Sequence, residues 1–137
     1  MGLTHVDAGI VIGLLDPLDA HHSAASSALR EALERGHQLE MAASAFGECL
    51  VGPSRRGPAA VAVVRDLFTR LPISVVALDA ETAAAAALLR AKHTSLRLPD
   101  ALVIATASQR SADELLTTDR RWPTAKALRV KVIIGEL

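Results

Sequence analysis

The stretch Leu3-Thr-His-Val-Asp-Ala-Gly-Ile-Val-Ile-Gly-Leu-Leu15 sets the frame for the rest of the chain. Residues 3–6 predict a short buried strand that delivers Asp7 at its carboxyl end, and an apolar helix follows from Ala8 or Gly9 to Leu15. No basic residue adjoins Asp7. A carboxylate at the mouth of a hydrophobic strand is costly unless a partner neutralises it. The stretch therefore predicts a neutralising partner for Asp7.

Composition indicates one domain with an aliphatic core. The 137-residue chain is long enough to bury a substantial core. Half of its residues are hydrophobic, but the aromatic ones are limited to Phe46, Phe68 and Trp122. The formal net charge is zero, which argues against nucleic-acid binding through bulk charge. Any RNA contact must come from local arginines or a metal, and the apolar excess indicates surface buried against another subunit or partner.

The cysteine content and the length of the apolar runs indicate the cellular compartment of the protein. A single cysteine, Cys49, excludes a disulfide within the chain and favours a reducing cytoplasm. The N-terminus lacks a signal-peptide pattern, and no apolar run reaches the roughly 18 residues of a membrane span. We therefore predict a cytoplasmic protein that does not enter a membrane.

The remaining chain alternates between predicted helices and strands. The predicted helices cover about 20–35 with Asp19 as cap, 44 to the break at Gly52-Pro53, 58–70, about 80–93 with Asp79 as cap, and 98 through the apolar run 101–107. The predicted strands cover 38–42, 73–78, 115–118 and 131–134, with a short turn or helix over 120–127 and a basic exposed loop over 54–57. This alternation predicts an α/β fold with parallel strands and right-handed crossovers.

Three further acidic residues border apolar segments as Asp7 does. Asp119 follows the 115–118 strand, and Glu48 lies one or two turns into the helix after the second strand. Asp100 opens the buried helix that leads to the Asp119 strand. Because functional groups collect outside the carboxyl ends of parallel strands, we expect all four acids at one edge of the sheet.

Four carboxylates in one place predict a metal. Without a cation they repel and raise one another's pKa. Mg²⁺ prefers oxygen ligands and keeps several waters, and such a metal activates water and stabilises charge on a transferring phosphate. His21 and His22 are adjacent and lack zinc-type spacing with Cys49, which suits a small core residue.

Each acid also has a simpler interpretation. Asp7, Asp100 and Asp119 suit helix caps or first-turn acids, worth about 0.3–1 kcal/mol each through the helix dipole. Glu48 alone suits a solvated helix residue. It is the joint pattern of the four acids that favours the metal site.

Polar residues near the acids complete the candidate set. The supporting hydroxyls are those of Ser44, Thr117 and Thr118, and the arginines that are either solvated or in contact with RNA are Arg55, Arg56, Arg120 and Arg121.

Four segments, in this order, resemble the PIN domain family and, more closely, the VapC toxins of bacterial type II toxin–antitoxin systems. They are Val6-Asp7, Ser44-Ala-Phe-Gly-Glu-Cys-Leu-Val-Gly-Pro53, Leu98-Pro-Asp-Ala-Leu-Val-Ile-Ala-Thr-Ala107 and Leu115-Leu-Thr-Thr-Asp-Arg-Arg-Trp122. The resemblance covers nearly the whole chain. It implies a single PIN domain over residues 1–137, folded as a three-layer α/β/α sandwich with a central, mainly parallel sheet.

The resemblance also implies chemistry and partners. Asp7, Glu48, Asp100 and Asp119 would be the metal-binding catalytic set of an endoribonuclease that depends on Mg²⁺ or Mn²⁺. Its substrate would be structured RNA such as tRNA or rRNA, cleaved to inhibit translation. The implied partners are a second copy in a homodimer and a cognate VapB-type antitoxin, whose C-terminal segment occupies a groove near the active site.

One position departs from this pattern. Relatives commonly carry Thr or Ser directly after the first Asp, where the hydroxyl supports the metal site. Here Ala8 and Gly9 follow Asp7. We expect the missing hydroxyl to weaken metal binding, and Gly9 to allow a close approach to the helix N-terminus.

Other families with a similar layout fit less well. A response-regulator receiver needs an acidic pair near the first strand and a lysine at a late strand end, where this chain has Asp119. A haloacid-dehalogenase-type phosphatase needs a second Asp two residues after the first, where Gly9 stands. The non-enzymatic alternative is a PIN-like RNA-binding or interaction module with weak or absent catalysis, which metal affinity would distinguish. A housekeeping RNA-processing nuclease would differ in lacking an antitoxin.

Overall fold

The computed structural model describes residues 1–122 and 130–132. Its strands are β1 (Leu3–Val6), β2 (Gln38–Ala42), β3 (Ile73–Val76), β4 (Glu114–Thr117) and β5 (Val130–Val132). Its helices are α1 (Ala8–Leu15), α2 (His22–Glu34), α3 (Ala43–Arg56), α4 (Pro58–Arg70), α5 (Ala80–Lys92) and α6 (Leu98–Gln109). Within these ranges no helix is long and apolar enough to cross a membrane.

The strands form one parallel sheet in the order β3-β2-β1-β4-β5. Right-handed crossovers place α1 to α4 on one face and α5 and α6 on the other, and the helices pack in the pairs α1 with α2, α3 with α4 and α5 with α6. Strand β1 is central, and Thr4, His5 and Val6 are fully buried. The predicted α/β/α sandwich with a parallel sheet is confirmed, and the carboxyl end of β1 opens at the middle of one sheet edge.

The predicted break at Gly52-Pro53 is wrong, because α3 continues to Arg56. Proline removes a helical hydrogen bond and disturbs the preceding turn, yet Pro53 is buried and its packing offsets that cost. The helix ends at Gly57, whose φ of 121° is one that side chains rarely adopt. The predicted loop 54–57 is therefore largely the last turn of α3, although Arg55 and Arg56 are exposed as expected.

The other predicted helix and strand boundaries differ from the observed ones by a few residues. Helix α2 begins at His22 instead of residue 20, because Asp19 Oδ1 accepts a hydrogen bond from the His21 N–H (2.8 Å) in a turn and does not cap the helix. Asp79 does cap α5, accepting from the Thr82 N–H at 2.8 Å. Strand β3 ends at Val76, and β4 spans 114–117 instead of 115–118. The predicted segments over 120–127 and 131–134 lie partly outside the described residues.

A buried acid ties the sheet to the C-terminal end of α6. Glu40 is 2% exposed, its Oε1 lies 3.1 Å from His5 Nδ1, and its Oε2 accepts a hydrogen bond from Arg110 Nε at 2.9 Å. Burial opposes ionisation of Glu40, but the hydrogen bonds from His5 and Arg110 outweigh it and hold the pKa of this carboxyl below its usual value. The ionised acid therefore stabilises the fold above a pH of about 4.5 and loses that contribution as the pH falls further.

We expect Glu40→Gln to lower the free energy of unfolding at pH 7 by about 2 kcal/mol, because it weakens hydrogen bonds to a buried charge. Urea denaturation measures the change. Asp66→Asn is the matched control, since Asp66 is 63% exposed and pairs only with Arg70 on the surface of α4. Its effect should stay within about 0.5 kcal/mol. Equal effects of the two substitutions would contradict a stabilising role for Glu40.

Candidate active site

Asp7 is fixed by contacts from two elements. It caps α1, and its Oδ1 accepts a hydrogen bond from the Ala8 N–H at 2.8 Å. Its Oδ2 accepts from the Thr117 hydroxyl, also at 2.8 Å, across the neighbouring strands β1 and β4. The same hydroxyl oxygen accepts from the Asp119 N–H at 3.1 Å. Thr117, fully buried at the end of β4, thus joins the first acid to the loop that carries the fourth.

Glu48 and Asp100 approach from two packed helices. Glu48 lies in the second turn of α3 and is exposed, whereas Asp100 lies in the first turn of α6 with a side chain 18% exposed. Helices α3 and α6 contact each other although they begin on opposite faces of the sheet. The carboxyl edge of the sheet therefore receives acids from a strand end, two helices and a loop, as the sequence predicted.

The pKa values show that these acids share one electrostatic environment. Burial raises the pKa of Asp7 to about 6, hydrogen bonds from Thr117 and Ala8 oppose the rise, and the charges of Asp100 and Glu48 add to it. Burial, followed by the charge of Asp100, raises the pKa of Glu48. Burial and the charge of Asp119 raise the pKa of Asp100. The charge of each acid thus affects, or is affected by, that of at least one of the others.

Two arginines partly neutralise the cluster. Arg121 donates to Asp119 Oδ1 from its backbone N–H (2.8 Å) and its Nε (3.1 Å), and a terminal guanidinium nitrogen lies 2.9 Å from Oδ2. These bonds hold the pKa of Asp119 below its usual value. Arg97 Nε lies 3.7 Å from Asp100 Oδ2. Arg97 is missing from the predicted set, although its position three residues before Asp100 at the start of a helix is a sequence signal for such a pair.

The donor set suits a hard cation. Among the described residues, no three His, Cys, Asp or Glu side chains stand close enough together to hold one ion in their present positions. The oxygen donors themselves fit, because carboxylates that raise one another's pKa are what a divalent cation stabilises. A cation bound here would compete with Arg121 for Asp119 and with protons for Asp7. Cys49 is not a ligand candidate, since burial raises the pKa of its thiol to about 12 and it stays protonated.

The predicted supporting serine and the predicted RNA-contact arginines lie at different distances from the acids. Ser44 lies half-buried in the first turn of α3 and makes no hydrogen bond to an acid within the described ranges. Arg55 lies two helical turns beyond Glu48, about 10 Å along α3. Arg120 is exposed. Of the four predicted arginines, Arg121 is the one that contacts an acid of the cluster.

An apolar groove opens beside Glu48 between α1, α3 and α4. Its volume is about 610 Å³, and Arg56 and Asp16 stand among its lining residues. The apolar lining includes Ile12, Leu15, Cys49, Pro53, Val63 and Val64. Ile12 and Val63 are 42% and 60% exposed, which is unusual for large apolar side chains arranged in one place. The groove therefore offers a binding surface continuous with the acidic edge.

Solved structures with the same fold come from toxin–antitoxin systems. VapC20 of Mycobacterium tuberculosis, described as a sarcin-ricin loop cleaving toxin, matches with a TM-score of 0.71 at 17% identity over 95% of this chain and 98% of its own. A toxin–antitoxin complex from Klebsiella pneumoniae matches with 0.73 at 20% identity, over 97% and 99%. VapBC2 of Rickettsia felis, bound to a fragment of its promoter DNA, matches with 0.74 at 15% identity, over 95% and 98%.

Sequence comparisons give the family. No curated protein matches the chain. The family description "PIN domain" matches residues 5–128, a span that includes all four acids and most of the chain. The chain therefore belongs to the PIN domain family.

Proposed function

We propose that this chain is an endoribonuclease dependent on Mg²⁺ or Mn²⁺ and the toxin of a VapBC-type module, which cleaves structured RNA such as tRNA or rRNA to inhibit translation. The observation that carries the proposal is the placement of four acids at the carboxyl edge of a PIN fold, at the N-cap of α1, on α3 and α6, and in the loop after β4, with Asp7 held by Thr117. PIN-fold neighbours from toxin–antitoxin systems support the toxin assignment.

Asp7, Asp100, Glu48 and Asp119 are the residues that would hold the metal. When bound, the metal supplies an activated water and stabilises charge on the phosphate. The chain's own contribution is positioning. Thr117 fixes the Asp7 carboxylate, and the contact of α3 with α6 brings Glu48 to the same edge as Asp100.

Arginine side chains near the acidic edge are the proposed contacts to the phosphates of the RNA backbone. Asp119 now occupies the guanidinium of Arg121, which would be available to a phosphate oxygen if Asp119 instead held the metal. Arg97 stands at the same edge on the N-terminal side of α6. We propose Arg97 and Arg121 as phosphate contacts, with Arg55, Arg56 and Arg120 as outer contacts along the exposed surface.

The proposed protein partners match exposed apolar surface. The groove beside Glu48 is the proposed site for the C-terminal segment of a cognate VapB-type antitoxin, where a bound peptide also covers the acidic edge. Exposed apolar side chains elsewhere, including Val75, Leu78 and Leu88, are proposed to lie in a homodimer interface. The cytoplasm is the proposed compartment, in keeping with a free and buried Cys49.

One observation favours a second candidate, an RNA-binding or interaction module that does not cut. No three side chains of the described part converge on one ion, and Arg121 already neutralises Asp119. In that case the acids persist without assembling a metal site. Metal affinity and cleavage separate the two candidates.

Purified protein should cut total cellular RNA into discrete fragments with Mg²⁺ or Mn²⁺ and not with EDTA. Asp100→Asn should lower the rate by about 100-fold or more, since loss of one charged ligand costs several kcal/mol of metal-assisted catalysis. Asp66→Asn, the same change at an exposed acid of α4, is the control. Cleavage by Asp100→Asn at the wild-type rate would refute the metal site, and a folded wild type that never cuts would favour the binding module.

Asp7→Asn should stabilise the metal-free protein. Folding raises the pKa of Asp7 from 3.8 to about 6, so the ionised carboxylate destabilises the fold progressively as the pH rises through this window. In EDTA at pH 7.5 we expect the variant to gain about 3 kcal/mol in free energy of unfolding, the size of this pKa shift. The gain should vanish below about pH 3, where the carboxyl of Asp7 is protonated in both states. Urea denaturation at the two pH values tests this, and a loss of stability at pH 7.5 would contradict it.

Expression of the chain should arrest growth, and co-expression of a cognate VapB-type antitoxin should relieve the arrest. Val63→Glu should weaken antitoxin capture by at least about tenfold, because it places a charge in the apolar groove. RNA cleavage by this variant should not change. Leu18→Glu, at a leucine 94% exposed outside the groove lining, is the control. Normal antitoxin binding by Val63→Glu would place the antitoxin elsewhere.

A further inference from the structure

The first turn of α1 has a gap at Gly9 that the Thr118 side chain fills. A Cβ atom on residue 9 would lie 2.4 Å from Thr118 Oγ1, against 3.7 Å from its Cβ and 3.9 Å from its methyl carbon. The hydroxyl oxygen is thus the atom that faces Gly9. Threonine is stiff at χ1, so any side chain at position 9 would force this hydroxyl out of its place.

Backbone geometry does not account for Gly9. It lies inside α1 and is not among the glycines with positive φ. A glycine within a helix costs about 0.5–1 kcal/mol relative to alanine. The close approach of Thr118 is what requires a residue without a side chain.

The Thr118 hydroxyl is available to a ligand. Among the hydrogen bonds of the described residues it has no protein partner, whereas the hydroxyl of the preceding Thr117 makes two. Thr118 is half-buried and stands between the residue that binds Asp7 and the acid Asp119. A polar group is therefore held against the helix that Asp7 caps, next to the acidic edge, without a bond of its own.

We propose that Thr118 is a positioning residue of the metal and phosphate site, with its hydroxyl bound to an oxygen atom of the ligand at this edge. That oxygen belongs either to a water on the cation or to the RNA phosphate. Gly9 leaves the room that this hydroxyl needs. The inference rests on the proposed function and adds to it a group that neither Ala8 nor Gly9 supplies.

The first experiment compares Thr118→Val with Thr118→Ser. Valine keeps the shape but lacks the hydroxyl, and serine keeps the hydroxyl. Calorimetry measures the Kd for Mn²⁺ without RNA, and steady-state cleavage gives kcat and KM. We expect Thr118→Val to lose about tenfold in Mn²⁺ affinity or in KM, the size of one lost hydrogen bond to a charged ligand. Thr118→Ser should stay within about twofold.

Comparing the Mn²⁺ affinity with KM identifies which ligand oxygen the Thr118 hydroxyl binds. A loss in Mn²⁺ affinity assigns a water on the cation, and a loss confined to KM assigns the phosphate. The Tm of metal-free Thr118→Val should match wild type, because no hydrogen bond within the protein is lost. A lower Tm with unchanged metal affinity and unchanged KM would show a structural role and overturn the proposal.

A second experiment transfers the hydroxyl group from position 118 to position 9. Gly9→Ala should displace Thr118 and lower activity as Thr118→Val does, and the double variant Gly9→Ser with Thr118→Ala should recover most of the loss. Gly13→Ala is the control in the same helix, since its Cβ would meet the nearest atom at an ordinary 3.5 Å. Gly9→Ala with wild-type metal binding and cleavage would overturn the inference.

The proposed function and this inference fail in different ways. Wild-type protein that binds no Mn²⁺ and cuts no RNA overturns both. Wild-type protein that binds Mn²⁺ and cuts RNA, with Thr118→Val equal to it, leaves the nuclease intact and overturns only the role of Thr118.

Discussion

The hydrogen bond from the Thr117 hydroxyl to Asp7 organises the functional edge of this protein. It crosses from β4 to β1, so the register of two central strands sets the orientation of the first acid. The same oxygen receives the Asp119 N–H and thereby fixes the start of the following loop. Because Thr117 is fully buried, the core holds this arrangement, and the exposed Glu48 and the half-buried Asp119 lie around it.

The carboxylates of Asp7 and Asp119 are neutralised in different ways. Asp7 lies deepest, and burial keeps its affinity for a proton high. Asp119 is paired with the 72% exposed side chain of Arg121, which holds the pKa of Asp119 low. Without metal, one acid is therefore partly neutralised by protons and the other by a guanidinium. A divalent cation held by these acids would replace both partners, and its binding would then depend on pH through Asp7 and on salt through Arg121.

The sequence predicted the fold almost completely, because apolar periodicity and caps such as Asp79 are local signals. It failed at Pro53, where burial against neighbouring helices outweighed the local preference for a break. It also placed four acids at one edge, since parallel strands share that edge by topology. The ion pairs of Arg97 and Arg121, and the contact of Thr118 with Gly9, depend on side-chain rotamers and distances between elements, which a pattern of residue types does not specify.

The proline inside α3 has a consequence for the groove. Pro53 has no N–H, so the carbonyl of Cys49, four residues earlier, loses its helical donor. Both residues line the groove beside Glu48. The helix that forms this apolar wall thus contains one carbonyl without its usual helical donor. An extended peptide in the groove can meet this acceptor with a main-chain N–H, and a single directional bond among apolar contacts is enough to favour one register and one chain direction over the others.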